Sequence, residues 1–395
     1  MSIAPASVNH SLSSCAFGDR FWRCAFFALI LLQFSSIWAF RYLPTQDGPS
    51  HLLNASVLAN SGIGIYRQYY EIVPIHLAGN MLTQFLLAGL LKVTGPVAAE
   101  KLLLSGYVVL FFMSFRYLLR ALTPYADYFS CFAGIVVLNL FFFMGFWNFL
   151  YSVCLVLFTL GYYARRQGRW TPRSLAVLLF AGLVIYMAHA LSWAMCVLAV
   201  AVMGLPHAIS AVPWGRAHPL FPPPAAVRRA MLQYAASVCC LLPPGALIWM
   251  YLARSQKNSG LIADHPSLRE RLYPLYSLSF LHTISDSDLT LAKAVAATLF
   301  LTFLFVAWTV FWRRRYSGGS TAILLLSLVC SAAVIAGPDR VGSGSYIHTR
   351  VAFYAWLLFV DSDATFERDA LSKLLSHNLP IVAGLSFKRV WPPLA

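Results

Sequence analysis

The chain has 395 residues, of which 59% are apolar and only 11% charged, with a mean hydropathy of +0.68. A soluble protein of this length cannot hide that much apolar surface, so lipid is the solvent for most of it. The net charge of +15 sits in short clusters between apolar runs, the pattern of orientation signals in membrane proteins and not that of a nucleic-acid-binding face.

The first apolar run predicts a span at 22–40, preceded by a polar cytoplasmic tail at 1–21 that carries no cleavable signal. Directly after it comes Arg41-Tyr42-Leu43-Pro44-Thr45-Gln46-Asp47-Gly48-Pro49-Ser50-His51, with an acid, a histidine, two prolines and a glycine in eleven residues. A helix resumes near Ser50 and lies on the membrane surface, with Leu52, Leu53, Ala55, Val57 and Leu58 marking its apolar side. Asp47 just precedes its first turn. A capping aspartate is the plain reading. The chemical reading is a general base or metal ligand at the membrane surface, with His51 one turn along.

The run at 76–92 is short and carries Asn80, Thr83, Gln84 and Lys92. It reads as a half-inserted or interface-lying helix, and residues 41–99 then form one long first loop. Further spans are expected at 100–119, 127–144, 147–164, 173–188, 190–206, 229–252, 289–312 and 320–336, with a weaker one from 350 to about 365 and a tail at 366–395. The fold expected is an all-α polytopic bundle of about ten spans.

Charge orients it. With a cytoplasmic N-terminus and a non-spanning 76–92, 18 of the 29 Lys and Arg face the cytoplasm and nine face outward. The positive-inside rule favours that arrangement over its inverse. The outer face then carries the loops 41–99, 253–288 and 337–350, the tight turn Gly145-Phe146-Trp147-Asn148, and the turn at His189. It also collects most of the acids and histidines, so chemistry is expected there.

Three further outward features are candidates. Arg340 and Arg350 flank the Gly-rich segment that holds Tyr346 and opens the last helix. Outward arginines at a helix mouth run against the topology rule, and the guanidinium fork suits phosphate oxygens. Snorkelling to ordinary headgroups is the plainer explanation. His189 and Asn148 stand at tight turns between long helices, where a helix-packing role competes with a substrate contact. The eight cysteines show no CxxC spacing and read as small apolar residues. No Walker loop, Rossmann fingerprint, HExxH or nucleophile elbow occurs. Charged residues within the spans are few, which argues against an ion pump.

Leu43-Pro44-Thr45-Gln46-Asp47-Gly48-Pro49-Ser50-His51-Leu52, Gly145-Phe146-Trp147-Asn148-Phe149, His189 and the Gly-rich segment ending at Arg350 resemble a bacterial branch of the GT-C class of polytopic glycosyltransferases. The likeness covers most of residues 20–360. It implies a polyprenyl-phosphate-linked sugar as donor, membrane lipids as surroundings, no nucleic-acid partner, and an active face directed outward from a bacterial inner membrane. It implies a catalytic or metal-holding role for Asp47, with His51, and phosphate binding by Arg350, helped by Arg340. A divalent cation at Asp47 and His51 is left open, because the first loop carries one acid where many members of the class carry a pair. A non-enzymatic carrier or assembly protein for lipid-linked saccharides is the rival expectation. Convergence of Asp47, His51, His189 and Arg350 on one cavity would favour the enzyme; scatter round the rim would favour the carrier.

Overall fold

The computed structural model describes residues 10–70, 79–123, 126–210, 225–259, 263–264, 266–281, 290–298, 301, 318–341 and 345–358. The expected tail at 366–395 and most of the expected span 289–312 lie outside the described residues, as does the end of the span begun at 350.

The described chain is helical apart from one two-residue antiparallel pair, and it is a membrane protein. Three helices are each long and apolar enough to cross a bilayer, and a bent pair makes a fourth. The first is the Arg20–Trp38 portion of α1 (His10–Trp38). The second is α5 (Pro96–Leu122), which opens on a proline whose missing N–H costs nothing there. The third is α9 (Trp147–Arg166). Between α1 and α5 lie α2 (Gly48–Ala59), α3 (Gly64–Tyr69) and α4 (Leu82–Leu91). At ten residues α4 is about 15 Å long, half the thickness of a hydrocarbon core.

The centre of the bundle is the α5–α9 pair. The two helices approach closely at Gly161, where a Cβ would meet the Tyr117 ring at 2.6 Å and Leu118 Cα at 3.1 Å. Such small-residue contacts replace the hydrophobic drive that lipid cannot supply. Polar side chains finish the joint: Tyr151 Oη donates to Leu103 O at 2.7 Å, and Tyr107 Oη to Val137 O at 2.9 Å. At one end of α5, Asp127 binds Arg116 at 2.8 Å and Arg120 at 3.1 Å.

Two of the expected spans are not single continuous helices. Residues 127–144 do not form one helix. They divide into α6 (Ala126–Phe129), a 3₁₀ turn (Ser130–Phe132), α7 (Ala133–Val136) and α8 (Leu140–Met144). The break is Asn139, which is extended. Its Oδ1 accepts from Phe142 N at 3.2 Å and its Nδ2 donates to Val136 O at 2.9 Å, so one side chain closes both helix ends. Residues 229–252 likewise form α12 (Ala225–Cys239) and α13 (Pro244–Ser259), whose apolar parts are bent by 42°. Pro243 and Pro244 lack the N–H groups that a straight helix would need.

The expected pair 173–188 and 190–206 appears as α10 (Pro172–Ala188) and α11 (Ala190–Ser210), parted at His189, which is extended. Then follow β1 (Ala263–Asp264), α14 (Leu268–Ser277), α15 (290–298), α16 (Gly318–Ala336), β2 (Arg340–Val341) and α17 (347–358). Asp339 closes the start of α17: its carbonyl accepts from Ile347 N at 3.1 Å and its carboxylate from His348 N at 3.1 Å.

Candidate functional site

The segment before α2 is fixed by backbone bonds to the end of α8. Gln46 N donates to Phe143 O at 2.8 Å and Asp47 N to Met144 O at 3.2 Å. Those carbonyls are the last of a helix and have no partner within it. The contact requires Gly145. It lies in the left-handed region at φ +82°, and a Cβ there would sit 2.9 Å from Asp47 Cβ and 3.0 Å from Asp47 N.

Asp47 occupies the position before α2, yet its side chain makes no capping bond. The plain reading of a capping aspartate therefore does not hold. Its carboxylate is half-buried and takes no hydrogen bond among the described residues.

His51, one turn along, is anchored at both ring nitrogens. Nε2 lies 2.7 Å from Gly145 O, and a carbonyl only accepts, so Nε2 carries the proton. Nδ1 is then bare and accepts from Gln84 Nε2 at 3.0 Å. The next orientations follow in turn. Gln84 Oε1 accepts from Asn148 Nδ2 at 2.8 Å, and Asn148 Oδ1 accepts from Thr83 N at 2.8 Å. Asn148 Nδ2 also donates to Asn80 O at 2.7 Å. Burial lowers the His51 pKa from its ordinary value, against the raising influence of the Gly145 carbonyl and Asp47. His51 is thus a neutral brace between α2, α4 and the Gly145 turn.

Asn148 is the joint that holds α4 on α9. Asn148→Ala removes the bond to the exposed Asn80 carbonyl and leaves the buried Thr83 N–H without its partner, and a buried group left so costs about 1–3 kcal/mol. The expected outcome is a clearly lower melting temperature in detergent with the helix content of the native state unchanged. A melting curve superimposable on wild type would show that α4 is held by apolar packing alone.

The other wall is Arg350, in the first turn of α17. Its guanidinium lies over Phe146 at 4.5 Å and Phe149 at 5.4 Å, and Nη1 donates to His189 Nε2 at 3.2 Å. No carboxylate lies within ion-pair distance of it among the described residues. Among the described residues its Nε is buried without a partner, as is Trp147 Nε1.

These walls enclose one cavity of about 270 Å³. Asp47, His51, Asn148, His189 and Arg350, five residues expected from sequence, all line it. Two expected residues do not. Arg340 is exposed in β2, opposite Asp264. Tyr346, at φ +58°, packs on Phe146 with ring centroids 5.9 Å apart, outside the lining. Gln84, Asn80 and Trp147 line the cavity and were not singled out for it.

No family model, curated protein or solved structure matches this chain. The chemistry of the site must therefore be read from its donors and acceptors alone.

Those donors do not fit the divalent cation left open at Asp47 and His51. Both nitrogens of His51 are engaged, His189 Nε2 faces a guanidinium, and Asp47 is the one carboxylate in the lining. No group of three His, Cys, Asp or Glu occurs among the described residues with metal-binding placement. What the cavity offers is a free carboxylate, which can take a proton from a hydroxyl, and a partly desolvated guanidinium, which can take an anion.

Proposed function

We propose that the protein is a membrane glycosyltransferase that moves a sugar from a polyprenyl-phosphate donor to an envelope glycan, lipid or protein acceptor. In this reading the chain makes about ten spans in a bacterial inner membrane, and residues 41–99 form a long first loop on the outer face. One observation carries the reading: among the described residues, a carboxylate without a hydrogen bond and an arginine with no carboxylate within ion-pair distance line the same cavity. A partly buried cation with no carboxylate paired to it is costly, and the anionic group of a ligand lowers that cost.

The step is an inverting displacement. The acceptor oxygen attacks C1 of the sugar as Asp47 takes its proton. The bond from C1 to the phosphate oxygen breaks, and the phosphate leaves with the electron pair. Arg350 stabilises the negative charge that develops on it. His51 does not exchange a proton in this scheme, because its two nitrogens hold the wall together. Arg340, lying outside the cavity, takes no part.

Mass spectrometry of envelope glycans and lipids from cells with and without the protein tests this. The expected result is one product that loses the mass of a single hexose or pentose residue when the protein is absent. An unchanged product profile, with only the location of a lipid-linked saccharide altered, would replace the transferase by the carrier.

A further inference from the structure

Behind His189 runs a short row of hydroxyls that reaches no solvent. His189 Nδ1 lies 3.5 Å from Ser192 Oγ, the longest link in the row. Ser192 Oγ lies 2.6 Å from Ser152 Oγ, and Ser152 Oγ lies 2.5 Å from Phe149 O. Both serines are fully buried, Ser152 on α9 and Ser192 on α11. The Tyr354 hydroxyl lies beside them.

The direction of each bond follows from its two ends. A guanidinium only donates, so Arg350 requires a bare Nε2 on His189. A carbonyl only accepts, so Ser152 gives its proton to Phe149 O. Ser192 must then donate to Ser152, which leaves its lone pair for an Nδ1–H on His189. The row has one consistent polarity, from the cation to the backbone. Its far end is Phe149, whose ring lies under the same guanidinium. Turning Ser192 to donate to His189 would put the ring proton on Nε2 and set it against the Arg350 N–H.

We infer that Ser192 and Ser152 are positioning residues of the cavity, which lock His189 in its Nδ1-protonated tautomer and so aim Arg350. The role in ligand binding rests on the proposed reading of Arg350 as the anion-holding group; the tautomer lock does not. Neither serine lines the cavity. They act on the ligand only through His189 and Arg350. The oppositely protonated His51, with its proton on Nε2, shows that the two cavity histidines are set individually by their neighbours.

The test uses the full-length protein in lipid nanodiscs, labelled with ¹⁵N in the histidine rings. The His189 signals are assigned by their loss in His189→Gln. The expected wild-type pattern is a protonated Nδ1 and a bare Nε2 at neutral pH. Ser192→Ala, which removes one oxygen and keeps a strong helix former, should collapse that pattern toward a tautomer mixture. Ser152→Ala, from a different helix, should move it the same way and less far.

Farnesyl phosphate, titrated into the same nanodiscs, is expected to bind about tenfold more weakly to Ser192→Ala. Ser192→Thr, which restores a hydroxyl, should recover most of the binding. A wild-type His189 protonated on Nε2 overturns the inference, as does a pattern unchanged by both alanine variants. Altered tautomers with unaltered farnesyl phosphate affinity would remove the positioning role. No binding by wild type, with the tautomer pattern as expected, would instead sink the proposed function and leave the lock standing.

Discussion

Asp47→Asn is expected to lower transfer by about 10²–10⁴-fold, the range a positioned general base contributes, while membrane insertion and melting temperature stay as in wild type. The separation follows from the geometry. The Asp47 carboxylate caps no helix and takes no hydrogen bond among the described residues, so an isosteric amide disturbs no contact of the fold. What it loses is the ability to accept a proton from a hydroxyl. The measurement is the single-sugar mass difference in envelope products, read in cells that carry only the variant. Product at wild-type level would assign the proton transfer to another group or to none. A variant that also melts early would show that Asp47 holds structure after all.

Gly145→Ala is expected to damage both fold and function. The left-handed backbone at φ +82° costs a non-glycine residue about 1–2 kcal/mol. The added Cβ would also press on three Asp47 atoms, Cβ at 2.9 Å, N at 3.0 Å and Cα at 3.1 Å. Two of those are backbone, held by Asp47 N to Met144 O, so relief requires the segment to lift off α8. Overcrowding of a close contact of this kind typically costs a further 1–3 kcal/mol. The melting temperature should fall, and transfer should fall further than stability alone explains, because Asp47 moves with the strain. A variant with wild-type melting and activity would contradict the docking of Asp47 on the Gly145 turn.

Much of the cavity could be read in the sequence, for one physical reason. Polar side chains are expensive in an apolar chain, so those that persist stand out. Asp47, His51, Asn148, His189 and Arg350 were each conspicuous in that way. The roles were less legible than the positions. Nothing in an Asp-x3-His spacing reveals that His51 spends both nitrogens on Gly145 and Gln84. Gln84 and Asn80 were visible only as faults in a poor span. Gln84 on α4 and Asn80 just before it both line the cavity wall. Trp147 stood only as a member of the tight turn at 145–148, and its indole N–H, buried without a partner among the described residues, sets it apart. Arg340 looked like a helper to Arg350, on the same outward segment. The difference is that α17 begins between them, closed by Asp339, and carries only Arg350 onto Phe146 and Phe149.

The helices show the same division. The amphipathic and apolar runs gave the places of α1, α5, α9, α10 and α11. The interruption at Asn139 and the bend at Pro243 and Pro244 were not resolved, because an apolar run reports burial in lipid and not continuity of backbone. Asn139 was buried in a row of phenylalanines and valines, and its capping bonds to Phe142 and Val136 are local events that hydropathy averages away.

The cavity is assembled from distant parts of the chain, and that bears on how the protein is made. The contact of His51 with Gly145 joins residues 94 apart, and the contact of Arg350 with His189 joins residues 161 apart. During synthesis the carboxylate, the brace and the histidine enter the membrane first and can dock on one another. The cation arrives last. Until α17 is inserted, a nascent chain carries the Asp47 wall of the cavity without Arg350; under the proposed function it could meet an acceptor and hold no donor. On that proposal, order of arrival keeps the half-made protein from binding an anionic ligand before the walls that should enclose it are in place.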